Sequence, residues 1–392
     1  MSSAFWYYRL VRKSKHRAGG PVPPVAAPAK PVSLRDLAAY LGLSRTTVSL
    51  VLNNSPVAQG LTPETRERVL KAAAELNYKA NYFARMLNNK RSHMVGVLAP
   101  ELSSGYDSEI FNGIERLLIE RNYLYFVSSH HWDRDRIRQR LEVFAERGAE
   151  GVILINTPVA GGSVLPLVSI GSLESDLPIT HITVNNAHGI RLALEHLHAL
   201  GHREIGFLKG HTGSSDAESR WDACVAAMRG MGLHIHKENI VQLERIDDGL
   251  SPIREGYIAG SQLLKASQKF TAVLAFNDLS AIGAINAFRD AGKRIPEEIS
   301  VVGFDDVPAA TIVHPSLTTI HQPLIRMGRL AATEILASIE NAELKPRRIL
   351  IKPELVIRQS SAVCPPISFD RERTSVARSA PRAQARAAVS AV

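Results

Sequence analysis

The sequence predicts an α plus α/β protein, in which a small helical head precedes two doubly wound α/β lobes. Residues 32–53 read as two short helices around a glycine, whereas residues 94–364 alternate short apolar strands with amphipathic helices. Continuous apolar strands between such helices indicate parallel sheets that are covered on both faces. Twelve or more elements of this kind favour two lobes, with ligand sites at the carboxyl ends of the strands.

The first two helices are predicted from capping signals and apolar spacing in VSLRDLAAYLGLSRTTVSLVLN, residues 32–53. Ser33 caps the first helix with Asp36 at the capping-box position, and Ser44 caps the second helix after a break at Gly42. The inward-facing apolar positions are Leu34, Leu37, Ala38, Leu41, Val48, Val51 and Leu52. The positions predicted to point outward from the second helix are Arg45, Thr46, Ser49 and Leu50.

This helix pair is typical of a DNA-reading element, although a plain helical hairpin is the alternative. A short helix with polar donors at its N-terminal end fits the DNA major groove. The charge distribution favours DNA, because residues 1–93 hold 15 Lys and Arg against 4 Asp and Glu, while residues 94–365 carry a net charge of −5. A basic head suits phosphate binding, since neutralised phosphates release counterions. The net charge of +3 on residues 366–392 is better explained as a solvated run.

Further elements follow in a regular order. A third helix begins with the cap Thr62 and the helix-starting Pro63, and is predicted to run to Tyr78. A short polar-apolar helix, the basic pair Lys90 and Arg91, and an abrupt buried strand come next. The later strands are predicted at MVGVLA, YLYFVSS, GVILIN, EIGFLKG, AVLAF and ISVVGF, with helices near 107–121, 133–148, 216–231 and 278–291.

This order resembles the LacI-type (lactose repressor) transcription regulators over about Val32 to Cys364. The motifs LALEHLHALGHREIGFLKG, AVLAFNDLSAIGAINAFRDAG, IPEEISVVGFDD and HPSLTTIHQP carry the resemblance. It implies a hinge helix after the head and a core like that of periplasmic sugar-binding proteins. The expected domains are a disordered basic extension at 1–31, a helix-turn-helix domain at 32–80, a hinge helix and linker at 81–92, a two-lobed effector-binding and dimerisation domain at 93–364, and a disordered tail at 365–392.

The resemblance also implies three crossings between the lobes, which periodicity alone does not predict. Lobe one is expected to comprise residues 94–187 and 320–342, and lobe two residues 188–319 and 343–364. The Pro/Ala/Gly-rich extension at 1–31 is interpreted as an artefact of an upstream start codon or an idle extension, rather than as a basic arm on DNA.

The predicted DNA contacts of the second helix are Ser44, Arg45, Thr46, Thr47, Ser49, Leu50 and Asn53. Arg45 and Thr46 lie where side chains meet base edges, and an arginine can donate two hydrogen bonds to guanine. Thr47 and Ser49 are expected on phosphates, and Asn53 resembles the family's backbone-contacting asparagine. Many family members carry arginine where this chain has Leu50, which either packs or touches a thymine methyl group.

In the hinge, the residues that the resemblance places on DNA are Asn81, Ala84, Leu87 and Lys90. Leu87 corresponds to the apolar wedge that enters the minor groove, at a cost in base stacking that contacts to the kinked DNA offset. A small interhelical contact is the alternative for Leu87. Ala80 replaces a proline that is common at the entrance of this helix, which predicts a less preorganised hinge.

The resemblance places an effector site at Arg220, Asn277 and Asp305, which match ligand-binding positions of the family. A guanidinium, an amide and a carboxylate suit the adjacent hydroxyls of a sugar or polyol. Tyr106, in the loop after the first strand, is a candidate to stack on the ligand, and Gln322 lies where the chain returns to lobe one. Capping is the alternative for Asn277 and Asp305, and packing is the alternative for Tyr106. At Asn185 the family more often has aspartate, which weakens the case for a simple hexose.

Several function classes are excluded. The chain has 2 cysteines without metal spacing and no apolar run of about 18 residues, so a zinc site, a disulfide framework and a membrane span are not expected. The motifs of hydrolases, zinc proteases, nucleotide-binding loops and dinucleotide folds are absent, so no enzyme activity and no cofactor are expected. No signal peptide is recognised, which predicts a cytoplasmic protein.

The sequence therefore predicts a transcriptional repressor that binds a near-palindromic operator in double-stranded DNA as a homodimer and responds to a small sugar or polyol effector. A tetramer is the alternative assembly, although no helix with a heptad pattern near the C-terminus favours it. The alternative is a sugar-binding transport or sensor module without a DNA function.

Overall fold

The computed structural model describes residues 32–53, 55–79, 91–102, 105–158, 161–171, 177–212, 214–245, 252–266 and 269–365. The chain divides into two units, one ending at Arg91 and the other beginning at Ser92. The predictions for the extension at 1–31, for the hinge helix at 81–90 and for the tail after residue 365 lie outside the described residues.

The described residues of the first unit, the head, form three helices and a 3₁₀ turn: α1 (Leu34–Leu41), α2 (Arg45–Leu52), the turn Pro56–Gly60, and α3 (Pro63–Glu75). The predicted capping box is confirmed, since Asp36 N–H donates to Ser33 Oγ over 3.2 Å and Ser33 N–H donates to the Asp36 carboxylate over 3.0 Å. Gly42 has the left-handed φ of 66° that the tight turn between α1 and α2 requires.

The core of the head consists of the apolar faces of its helices. Leu37, Val48 and Val69, from α1, α2 and α3, are each fully buried in this core. The prediction that the third helix reaches Tyr78 is wrong, because α3 ends at Glu75. Asn77 adopts a left-handed φ of 45°, which terminates a helix and which asparagine tolerates better than most residues.

The second unit, the core, begins with lobe one. Its helices and strands are β1 (Met94–Ala99), α4 (Gly105–Glu120), β2 (Leu124–Ser129), α5 (Arg134–Glu146), β3 (Gly151–Ile155), β4 (Leu167–Ile170), β5 (Thr180–Val184), α11 (Leu324–Glu340) and β11 (Arg348–Ile351). The six strands form a parallel sheet in the order β11-β5-β4-β3-β1-β2. Buried apolar side chains run along most of the strands, as expected for a sheet covered on both faces.

Lobe two repeats this plan. Its helices and strands are α6 (Asn186–Ala199), β6 (Ile205–Lys209), α7 (Ser215–Gly230), β7 (Ile240–Gln242), α8 (Pro252–Leu263), β8 (Ala272–Ala275), α9 (Asp278–Asp290), β9 (Ser300–Asp305), α10 (Ala309–Ile312), β10 (Thr318–His321) and β12 (Glu354–Val356). The sheet order is β12-β10-β9-β8-β6-β7, with β12 antiparallel to β10 and the other neighbours parallel. The two doubly wound lobes are confirmed.

The chain crosses between the lobes three times, as the resemblance implied, but two crossings lie elsewhere. The chain leaves lobe one after β5, returns between β10 and α11, and leaves again between β11 and β12. The expectation that residues 343–351 belong to lobe two is wrong, because β11 pairs with β5 of lobe one. The expectation that lobe one resumes at residue 320 is also wrong, since Ile320 pairs with Phe304 of lobe two. Strand pairing across the sequence decided both points.

Each lobe joins two helices through glycines. In lobe one, a Cβ on Gly113 of α4 would lie 2.0 Å from the carbonyl oxygen of Ile325 in α11. In lobe two, a Cβ on Gly283 of α9 would lie 2.0 Å from the carbonyl oxygen of Ile253 in α8. These helix backbones therefore approach too closely for any side chain larger than hydrogen.

Candidate functional site

The exposed N-terminal end of α2 is the candidate DNA-reading surface of the head. Ser44, Arg45 and Thr46 are exposed, and Thr47 is half-buried. Thr47 N–H donates to Ser44 Oγ over 3.0 Å, so the capping serine also holds the first turn of the helix. At the other end of α2, the exposed Asn53 donates its side-chain amide to Ser49 Oγ over 3.1 Å.

Leu50, which was predicted to point outward, is only partly exposed. It is half-buried and packs against the apolar core of the head. Of the two alternatives left open by the sequence, the packing role is the one for which the structure supplies contacts. The predicted hinge contacts Asn81, Ala84, Leu87 and Lys90, together with Ala80, lie outside the described residues.

Arg220 of α7 is the centre of a second polar cluster, at the carboxyl ends of the strands of lobe two. Its Nε donates to Asn186 Oδ1 over 3.1 Å, and its Nη1 donates to the carbonyl oxygen of Phe276 over 2.6 Å. Its Nη2 lies 3.6 Å from Asp305 Oδ1. Arg220 is only 6% exposed, so a network of acceptors holds a buried positive charge in one orientation.

Two aromatic rings flank the same guanidinium. The Cζ atom of Arg220 lies 4.8 Å from the ring centroid of Phe276 and 3.8 Å from that of Phe304. These faces attract a cation and fix the plane of the guanidinium. A cavity adjoins it and is lined mainly by apolar side chains, including Phe207 and Trp221.

Asp305, the last residue of β9, is the second predicted residue in this cluster. Its backbone has a φ of 120°, a strained conformation that persists only where the surroundings enforce it. Gln322, only 2% exposed, donates its amide to Asp305 Oδ1 over 2.7 Å. Burial raises the pKa of Asp305 to about 7, against the opposing effects of the Arg220 charge and the Gln322 hydrogen bond. Gln322 lies where the chain returns to lobe one, as predicted.

Asn277, the third predicted residue, caps α9. Its side-chain oxygen accepts the N–H of Ser280 over 2.9 Å, and Ser280 Oγ accepts the N–H of Asn277 over 3.2 Å. The cap uses the side-chain oxygen, so a ligand contact from Asn277 would come from its amide nitrogen. Asn185 likewise caps α6 by accepting the N–H of His188 over 2.9 Å.

Lobe one contributes Tyr106 and Asp107 to the cluster. Tyr106 lies in the first turn of α4 rather than in the loop that we predicted, because α4 already begins at Gly105. Burial raises the pKa of Tyr106 well above its ordinary value; the charges of Asp216 and Asp305 raise it further, and Arg220 lowers it. Tyr106 of lobe one therefore lies within electrostatic range of the lobe-two side chains Arg220, Asp216 and Asp305.

The sequence analysis missed Asn186, Asp216 and Asp107. Asn186 is 3% exposed and donates its amide to Asp216 Oδ1 over 2.9 Å, so it links that carboxylate to Arg220. Asn186 lies two residues after the end of strand β5. The rule that ligand contacts follow the carboxyl ends of strands could therefore have identified it. Asp216 and Asp107 lie in first helical turns, where acidic residues are common for other reasons.

The described part of this cluster is richer in acids than in bases. Three carboxylates, on Asp107, Asp216 and Asp305, accompany the single guanidinium of Arg220. Among the described residues no three His, Cys, Asp or Glu side chains are placed to hold a metal ion. In the same described part, none of the helices combines the length and hydropathy needed to cross a membrane.

Comparison with known families identifies the class of protein. Residues 33–81 match the family described as bacterial regulatory proteins, lacI family, and residues 194–361 match the periplasmic binding protein-like domain. A DNA-binding head joined to a two-lobed binding core defines a transcription regulator and not an enzyme. The head match also decides against a transport module without a DNA function.

Individual relatives agree with this family assignment. The chain is 30% identical over 338 residues to the HTH-type transcriptional repressor PurR of Haemophilus influenzae, over 84% of this chain and 98% of that protein. The lac repressor dimer bound to operator and the anti-inducer ONPF has a TM-score of 0.76 at 28% identity, covering 85% of this chain and 100% of that one. The complex of the transcriptional regulator CelR with cellobiose has a TM-score of 0.63 at 25% identity, covering 84% and 99%. The chain belongs to the LacI family of bacterial regulatory proteins.

Proposed function

We propose that this protein is a repressor that binds a near-palindromic operator as a homodimer and is switched by a small polyhydroxylated effector bound between the lobes. The observation that carries the proposal is the Arg220–Asp305–Gln322 network, which gathers buried polar side chains at strand ends in a chain that also carries a DNA-binding head. Because bacterial DNA lies in the cytoplasm, we place the protein there.

The chemistry of the cluster supports a polyhydroxylated effector. Hydroxyl groups donate and accept, so they can satisfy a guanidinium, a carboxylate and an amide at once. A neutral or hydroxyl-rich ligand also suits the charge of the site, since a phosphorylated or carboxylated ligand would meet the carboxylates of Asp216 and Asp305. One similar structure points the same way, because the transcriptional regulator CelR is in complex with cellobiose.

The dimer follows from the size of the reading helix. With only eight residues in α2, one head contacts few base pairs, so specificity requires two half-sites related by the protein's twofold axis. Arg45 and Thr46, exposed at the start of α2, are the proposed base contacts, with Ser44, Thr47, Ser49 and Asn53 on the backbone. In the hinge, Leu87 is the proposed wedge in the minor groove and Lys90 is a proposed contact with DNA.

Operator binding is tested with the DNA that lies upstream of the gene. Fluorescence anisotropy should give tight binding to a near-palindrome and at least tenfold weaker binding to one half-site. Arg45→Ala should weaken specific binding by about 1–3 kcal/mol. Arg121→Ala, on the core, is the matched control. Equal affinity for the half-site and the palindrome, with a monomer by light scattering, would contradict the dimer.

Effector binding is tested by calorimetry with a panel of neutral sugars and polyols beside their phosphorylated and carboxylated analogues. A neutral ligand should bind the wild-type protein and not Asp305→Ala, and the same ligand should change operator affinity. Binding that is equally tight in the two proteins would refute the site. Binding without any change in operator affinity would leave the site in place and refute the switch.

A further inference from the structure

The two lobes touch at a point that the predicted effector site does not include. The Cζ atom of Arg245 lies 3.8 Å from the ring centroid of Trp132. Trp132 follows β2 of lobe one, and Arg245 follows β7 of lobe two, each three residues after the strand ends. A guanidinium this close to the face of an indole is a cation–π contact.

The sheet orders place this contact at the edge of the cleft that lies farthest from the crossings. Strands β5 and β11 of lobe one, and β10 and β12 of lobe two, carry the crossing segments and lie at one edge of their sheets. Strands β2 and β7 lie at the opposite edges. Lobes that rotate about the crossings separate most at the opposite edge, so the Trp132–Arg245 contact is the first to break when the cleft opens.

The backbone that presents Trp132 is strained. His131 and Trp132 have φ values of 48° and 62°, two successive left-handed residues that are neither glycine nor asparagine. Such conformations persist only where neighbouring groups enforce them, and they concentrate at functional and switching segments. They are the two central residues of a turn that is closed by the Asp133 N–H donating to the His130 carbonyl oxygen over 3.0 Å. Turns with two such residues usually have glycine, asparagine or aspartate there, so histidine and tryptophan are unusual occupants.

His130 supplies the enforcement. Its ring is fully buried, and its Nδ1 accepts the backbone N–H of Trp132 over 3.0 Å. The ring proton is therefore on Nε2, which donates to Thr157 Oγ1 over 3.0 Å. Burial lowers the pKa of His130 to about 4, so the ring stays neutral near pH 7 and keeps this acceptor. The His130 and Trp132 rings also meet edge to face at 5.9 Å.

We propose that Trp132 and Arg245 form an interlobe latch, which stabilises the closed arrangement of the lobes and so sets the effector affinity of the cleft. Both are positioning residues, because neither belongs to the cluster around Arg220. The effector part of the proposal rests on the proposed function, whereas the latch itself does not. A ligand that binds the closed lobes loses apparent affinity in proportion to the closed fraction.

The first test measures the distance between the two lobes in the absence of effector and DNA. Spin labels go on the exposed positions Gln139 and Lys237, as Gln139→Cys and Lys237→Cys in a Cys364→Ser background. Cys224 is buried and its pKa is raised to about 12, so it does not react. The labelled chain is mixed with excess unlabelled protein, so that the distances measured by double electron–electron resonance arise from two labels within one chain.

Trp132→Ala and Arg245→Ala should each shift the distance distribution toward longer, broader values, and the double variant should equal either single variant. Arg245→Lys should retain part of the short population, because an ammonium also binds an aromatic face. Arg229→Ala, an exposed arginine elsewhere on lobe two, is the matched control and should change nothing. Unchanged distributions in both latch variants, or fully additive effects in the double variant, would overturn the latch.

The second test measures the dissociation constant of the effector that the calorimetric panel identifies. Each single latch variant should raise its dissociation constant about two- to fivefold, the range of an exposed cation–π contact, while thermal unfolding remains cooperative. An unchanged dissociation constant beside altered distances would refute the link to the effector and leave the latch. Absence of any effector would refute the proposed function, and the distance experiment would still decide the latch.

Discussion

Lobe one and lobe two have the same strand order, and each joins two helices through a glycine contact, yet they contribute differently to the cleft. Lobe two brings Arg220, Asn186, Asp216 and Asp305. Asn186 hydrogen-bonds to Arg220 and to Asp216, and Arg220 forms an ion pair with Asp305. Lobe one brings Tyr106 and Asp107 through the first turn of one helix. The difference teaches that equal folds do not imply equal roles: lobe two carries most of the polar cluster, and lobe one adds only Tyr106 and Asp107 to it.

The largest effect expected from this comparison is that of Arg220→Ala. The substitution leaves the buried Asp305 without its guanidinium, so the free energy of unfolding should fall by about 3 kcal/mol. Effector binding should be lost in calorimetry, because the substitution removes the guanidinium that makes two hydrogen bonds in the cluster and pairs with Asp305. Arg229→Ala is the control in urea unfolding. A variant that keeps wild-type effector affinity would show that lobe two is not the binding face.

The two lobes should respond oppositely to pH. His130 of lobe one has a folded pKa of about 4, below 6.5, so its contribution to stability is lost as pH falls from about 6.5 to 4, by about 3 kcal/mol in all. Asp305 of lobe two has a raised folded pKa, so its contribution is lost as pH rises from about 4 to about 7.

Urea unfolding of three proteins between pH 5 and 8 separates these contributions. His130→Gln should remove the loss of stability on the acid side, and Asp305→Asn should remove the loss toward neutral pH. Identical pH profiles for wild type and both variants would show that neither group titrates differently in the folded and unfolded chains.

In contrast to the cleft residues, the close helix pairs of the two lobes should respond alike to substitution of their glycines. Gly113→Ala in lobe one and Gly283→Ala in lobe two each place a Cβ 2.0 Å from a backbone carbonyl oxygen, so each should lower the free energy of unfolding by about 2 kcal/mol or more. Gly230→Ala, whose Cβ would meet nothing within 4 Å, is the control and should be neutral or slightly stabilising. A neutral Gly113→Ala would mean that α4 and α11 are not in close contact.

The smallest effect is expected at Tyr106. Tyr106→Phe keeps the ring and removes the hydroxyl, so effector binding should weaken by about 1 kcal/mol, close to the value of one hydrogen bond. Calorimetry beside Arg220→Ala measures the difference between a lobe-one and a lobe-two substitution. If Tyr106→Phe abolished binding as completely as Arg220→Ala, the two lobes would share the binding face equally.

Much of the architecture could be predicted from the sequence, because the signals are local. The capping box at Ser33, the cap at Ser44 and the continuous apolar strands each follow from residues a few positions apart, and the structure confirms them. Arg220, Asp305 and Gln322 were predicted as one site through the family resemblance, and they form one network. The placement of β11 could not be predicted, since its partner β5 lies far away in the sequence.

The sequence by itself determined the helix starts, the strands, the DNA-binding class of the head and the family, because capping, periodicity and ordered motifs are written in neighbouring residues. Only the tertiary structure decided which asparagine reaches Arg220, that Leu50 packs against the core of the head, and which strand joins which sheet. It also brought Trp132 to Arg245 across the cleft, 113 positions apart in the numbering. These are contacts between distant segments, and their partners are chosen by the packing of the whole core rather than by any local pattern.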